Sequence, residues 1–215
     1  MLSRRSRLLV TLCGIVGPLI LVGSFVINPA PPAASTIPQL RDFAVRHHDA
    51  IVLGGWLQGI GSLLIVVFAI GLVHLADATS RMAGWLTLLA GALIVMVSLV
   101  EVTFYLGAVQ GTAMGDTASA LASDNLRKAV QHVFLIAPAL LLPLAFVLRG
   151  ANLLPRVFAH TALALGATLQ TLGLVGLLTG LQTVVDVVLM MQAFWFVAAA
   201  VVLLLRSGRF TAAPR

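Results

Sequence analysis

Apolar residues in this chain do not alternate with polar ones; they run. Long apolar stretches occupy 8–27, 50–73, 83–107, 130–148, 158–180 and 184–205. Each is close to the roughly 20 residues that a helix needs to cross a bilayer. The pattern predicts an all-α, polytopic membrane protein. Its six transmembrane helices form one compact bundle and a single domain over residues 1–215. The fifth and sixth runs are divided only by Gly180-Leu181-Gln182-Thr183 and Asp186. A tight re-entry is expected there, with a five-helix reading as the alternative.

The connection 28–49 has its own pattern. It is Pro-rich after Asn28, and then Ser35 or Thr36 can cap a short helix starting near Pro38. Leu40, Phe43 and Ala44 share one face of that helix and Arg41, Asp42 and Arg46 the other, as suits a helix lying on lipid headgroups. The connection from about Gly111 to Lys128 is rich in Ala, Ser and Thr, with Asp116 and Asp124 as caps. Pro138 and Pro143 free the carbonyls of Phe134 and Ala139 and predict a kink near His132.

Composition narrows the solvent. Of 215 residues, 60% are hydrophobic and 9% charged, with mean hydropathy +1.08. A soluble domain is about 45–50% apolar and about 25% charged. Too few polar residues remain to cover a water-facing surface, so the lipid bilayer is the expected partner. The net charge of +6 raises the question of nucleic acid. However, the basic residues stand singly or in threes beside apolar runs, as topology signals and headgroup contacts do.

With the N-terminus inside, Arg4, Arg5, Arg7, Arg81, Arg149, Arg156, Arg206, Arg209 and Arg215 fall on the inner side. Only Arg41, Arg46, Arg127 and Lys128 fall outside, which places both termini in the cytoplasm of a cell (plasma or inner) membrane protein. The first run resembles a secretory signal, but its length exceeds a signal core of about 7–15 residues. It is read as an uncleaved helix. The lone Cys13 excludes an internal disulfide.

Candidate chemistry gathers at one depth. Placed at about 1.5 Å per residue from each span's middle, Glu101 lies about 9 Å and His132 about 10 Å toward the outside. Gln58 follows at about 5 Å, Gln192 at about 4 Å and Asp186 at about 13 Å. The inner half offers only His160, near its boundary. Gly91, Ile94, Ser98, Glu101 and Tyr105 share one helix face, as do Gly55, Gln58 and Ser62. Small and polar residues on one stripe mark the protein-facing side of a membrane helix. Glu101 is therefore expected to point inward, with His132 as its partner and Tyr105 and Gln58 as further donors. Two readings follow: a pocket for a small ligand or cation, or a Glu–His pair that pins helices together.

Other chemistry is less well served. His48 and His74 are about 39 Å apart along a helix, more than the roughly 30 Å hydrocarbon core, so paired-histidine haem sites would be poorly enclosed; no cofactor is expected. A metal-dependent membrane enzyme would draw on His48, Asp49, Glu101 and His132, with His47 and Asp186 nearby. No tight His-x-Glu or His-xxx-His spacing supports it. Phosphate loops and nucleophile elbows are missing.

The segments Gly55-Trp56-Leu57-Gln58, Gly71-Leu72-Val73-His74 and Ser98-Leu99-Val100-Glu101-Val102-Thr103-Phe104-Tyr105-Leu106 resemble small multi-pass bacterial membrane proteins of unknown function. The resemblance implies a six-helix bundle and a bacterial plasma membrane, and transfers no activity. The leading expectation is an outward-facing polar pocket that binds or passes a small ligand or cation. A metal-dependent enzyme and a non-catalytic accessory subunit are the alternatives.

Overall fold

A computed structural model describes residues 4–29, 37–136, 140–176 and 182–209. They form seven helices: α1 Arg4–Ile27, α2 Ile37–Leu75, α3 Met82–Met114, α4 Thr117–Ile136, α5 Leu141–Arg149, α6 Arg156–Gly176 and α7 Gln182–Arg209. No strand occurs among the described residues. Among the described residues, four helices are long and apolar enough to cross a membrane, over Arg5–Ile27, Arg41–Leu75, Met82–Met114 and Val187–Arg206.

Two boundaries differ from the pattern-based expectation. The short helix expected near Pro38 is continuous with the second apolar run, so α2 is 39 residues long, about 58 Å. Its partner α3 has 33 residues, about 50 Å. Both exceed a hydrocarbon core of about 30 Å. The fourth apolar run is divided between α4 and α5. α4 is described to Ile136 and α5 from Leu141; residues 137–139, with Pro138 and the kink expected from it, lie outside the described residues. Residues 30–36, with the expected caps Ser35 and Thr36, and residues 177–181, in the expected re-entry, lie outside the described residues.

The helices pack as a ring. α1 lies between α2 and α7, α3 packs on α2, α4 and α5, and α6 packs on α4, α5 and α7. Small residues set the closest approach. A Cβ added at Gly61 of α2 would stand 2.7 Å from the Leu21 nitrogen and 3.0 Å from the Gly17 carbonyl oxygen of α1. Such backbone contact is how membrane helices gain packing energy where the hydrophobic effect is weak.

The main core fills the end of the ring that carries the α2–α3 turn. Leu140, Leu141, Leu144, Ala145 and Val147 around α5 are fully buried there, beside Phe68 and Leu72 of α2 and Phe196 of α7. Edge-on rings run from Phe68 to Phe196 (6.3 Å), Phe196 to Trp195 (5.3 Å) and Trp195 to Phe158 (6.0 Å), linking α2, α7 and α6. A smaller core of Ala44, Ile51 and Val109, with Phe43, Tyr105 and Leu106 against it, occupies the opposite end.

That opposite end closes with a tight helical hairpin. Gly115 takes φ 78°, in the left-handed region, and ends α3. The Asp116 N–H donates back to the Gly111 carbonyl at 2.9 Å, the bond that terminates many helices. Asp116 then caps α4, its Oδ1 accepting from the Ser119 N–H at 3.1 Å. The other expected cap, Asp124, lies inside α4 and accepts from Arg127 instead. Hydrogen bonds from the Ser119 hydroxyl and N–H hold the Asp116 carboxyl below the usual aspartate range.

Two outcomes are expected. Gly61→Ala forces α1 from α2, with a loss of about 1–3 kcal/mol, read as a lower melting temperature in detergent. The Asp116 carboxylate contributes stability above its unfolded value of about 3.9. That contribution disappears as pH falls through the lower folded value. Carboxyl NMR should therefore find Asp116 titrating below the aspartate range, and Ser119→Ala should raise its midpoint.

Candidate functional site

The interface of α2 and α3 carries a ladder of polar side chains inside apolar helices. Gly55 and Gly59 make room for it: a Cβ at Gly55 would meet Val102 at 2.8 Å, and one at Gly59 would meet Leu99 at 3.2 Å. On the same face of α2, Gln58 is 8% exposed and Ser62 4%, opposite Ser98 at 2%. The Ser62 and Ser98 hydroxyls lie 3.1 Å apart. One turn further along, the Gln58 amide donates to Glu101 Oε2 at 2.9 Å and approaches Ser98 Oγ at 3.5 Å.

The expected stripe is the inner face of α3. Gly91, Ile94 and Ser98 are buried, and Glu101 and Tyr105 continue it half-buried. The Tyr105 hydroxyl donates to the Pro29 carbonyl at 3.3 Å, tying α3 to the chain just beyond α1. The Arg127 guanidinium of α4 stands 5.4 Å from the centre of the Tyr105 ring and donates to Asp124 Oδ1 through Nε at 3.1 Å and Nη2 at 3.0 Å. Asn28 packs on Gly54, one turn from Gln58. Its buried Oδ1 finds no hydrogen-bond partner among the described residues.

Glu101 therefore sits where the end of α1 and the helices α2, α3 and α4 converge. It is 20 residues beyond Arg81, about 30 Å along the helix, or one hydrocarbon thickness.

The other expected site residues are arranged differently. His132 belongs to α4 and Asp186 to α7, and their side chains lie outside the described residues. Gln192 is on α7, whose main packing partners are α1 and α6. Its buried Oε1 has no hydrogen-bond partner among the described residues. His48 and Asp49 lie on α2 with Nδ1 and Oδ1 3.1 Å apart, both exposed. Among the described residues no three His, Cys, Asp or Glu side chains gather as metal ligands would. Asn28 and Arg127 were not singled out from the sequence. Asn28 is legible there as the polar residue ending the first apolar run, but Arg127 joins only through the α3–α4 hairpin.

Fold and site together define an all-helical protein with helices apolar enough to span a membrane and a buried polar seam between two of them. No family model, curated protein or solved structure matches the chain.

A double-mutant cycle on Gln58→Leu and Glu101→Leu should return a coupling of about 0.6–1.7 kcal/mol, the range for cross-helix bonds in membranes. Additive melting shifts would mean that the 2.9 Å bond contributes nothing.

Proposed function

We propose that the chain is a six-span integral protein of the cell membrane with both termini cytoplasmic. Near its outer boundary a polar pocket centred on Glu101 and Gln58 binds or passes a small ligand or cation. The observation that carries this reading is the Gln58–Glu101 hydrogen bond on a half-buried carboxylate. An ionisable group inside a membrane helix is costly and marks a pathway or binding site by default. Gln58 orients one carboxylate oxygen, Ser98 and Ser62 extend the polar seam inward, and the buried Asn28 oxygen supplies a further acceptor nearby. Acceptors dominate this set, which suits a cation or a hydrogen-bond donor. The nine-to-four excess of basic residues on the terminal side supports the orientation.

A second reading is also supported. The Ser62–Ser98–Gln58 ladder is buried, and such a ladder alone locks two helices in register.

Glu101→Gln separates the two readings. The purified full chain is melted in detergent with sodium, potassium, magnesium or calcium chloride, with choline chloride as the control for ionic strength. Under the pocket reading, one cation raises the wild-type melting temperature, and the variant loses that response while melting within a few degrees of wild type. A variant that merely melts lower, with the same salt response as wild type, supports the helix-locking reading and rejects the pocket.

A further inference from the structure

On the outside of the ring, α6 and α7 leave an open groove of about 880 Å³ between them. Its walls are apolar and turned outward: Val157 is 57% exposed, Val187 55% and Phe194 74%. Met190 and Met191 add flexible thioethers, which adapt to irregular partners. Polar groups at its floor are already engaged. The Trp195 indole donates to Thr161 Oγ1 at 3.0 Å and to the Phe158 carbonyl at 3.2 Å, and Thr161 donates to the Val157 carbonyl at 2.8 Å. The groove therefore offers shape and apolar area.

Its ends are chemically unequal. From Val187 to Ala198 it follows α7 for 12 residues, about 16 Å from first to last, the depth of one leaflet of a hydrocarbon core about 30 Å thick. At the Val157 end it begins one residue after Arg156, with exposed His160 one turn along the same helix. Arg206, eight residues beyond Ala198 on α7, donates from Nη1 to the Leu153 carbonyl at 3.1 Å, in the loop three residues before Arg156. That bond uses one of its five N–H donors. Neither Arg156 nor Arg206 is paired with an acidic side chain among the described residues. Between Arg149 and Arg209 the one acidic residue is Asp186, near the other end of α7.

We propose that the α6–α7 groove binds an anionic diacyl phospholipid from the leaflet on the arginine side. One acyl chain lies along the groove, and the phosphate sits at Arg156 and Arg206. Basic pockets between membrane helices recognise anionic headgroups in this way, and the positive end of the α6 dipole adds to the attraction. Charge also discriminates against a second copy of the chain. A two-fold contact through this face would set the arginine rim of one copy beside that of the other, and like charges across an interface are costly. The inference requires only that α6 and α7 lie in a bilayer, and it is independent of the Glu101 pocket.

Native mass spectrometry of the full chain, released from neutral detergent, tests it with phosphatidylglycerol and phosphatidylcholine of the same acyl chains. Phosphatidylglycerol should bind more than tenfold tighter, from about fivefold for each arginine. Arg156→Gln, at an exposed position, should weaken phosphatidylglycerol about fivefold and leave phosphatidylcholine unchanged. Ala198→Trp, which fills the groove, should weaken both lipids. Equal binding of the two lipids by wild type, or phosphatidylglycerol binding that ignores Arg156→Gln, overturns the proposal. So does a lipid-free dimer that Ala198→Trp dissociates, which would assign the groove to a second copy.

Discussion

Hydrocarbon offers polar groups no hydrogen bonds, and the rest of this structure follows from that requirement. Helices satisfy the backbone, so the described residues are helical almost throughout. The same rule governs the hydroxyls. Thr11, Thr87, Thr103, Thr112 and Thr171 each donate to the carbonyl four residues earlier, at 2.7–2.9 Å. A threonine bonded within its own helix can face lipid or a neighbouring helix with little penalty. It therefore says little about what lies opposite.

Against that background, the side chains that bond outside their own helix carry more information. Trp195 ties α7 to α6, Arg206 ties the end of α7 to the loop before α6, and Tyr105 ties α3 to the segment after α1. Gln58, Ser62, Ser98 and Glu101 are different, because they bond side chain to side chain between two neighbouring helices. Leucines in their place would pack these helices without any need for mutual hydrogen bonds, so the ladder brings either register or a binding surface.

Helix length places that seam. α2 and α3 are both longer than a hydrocarbon core is thick, and they share a short turn at one end. Their surplus therefore accumulates at the opposite end. There the small core of Ala44, Ile51 and Val109 and the Gly115–Asp116 hairpin build a helical extension beyond Glu101. The carboxylate stands at the junction between that extension and the apolar span. One turn further along α3, Tyr105 stacks against Arg127 of α4.

Much of this was legible in the residues themselves. Apolar runs of hydrocarbon length dictate membrane-type helices, because no soluble core could hide so much apolar surface. The three- and four-residue spacing of Gly91, Ser98, Glu101 and Tyr105 identifies the inner face of α3, because a helix repeats every 3.6 residues. Gln58 was legible as a donor for the same reason. Periodicity does not reveal which helix lies beside which. Gln192 shares the approximate depth of Glu101, but α7 packs chiefly on α1 and α6, and depth along an axis carries no angular information. Nor could local pattern show that the helix near Pro38 is continuous with the second span, or that Arg127 returns to Tyr105 across a two-residue turn. Those features come from packing small faces together, a property of pairs of helices. Residue order determined the solvent and the faces; the tertiary arrangement decided the neighbours.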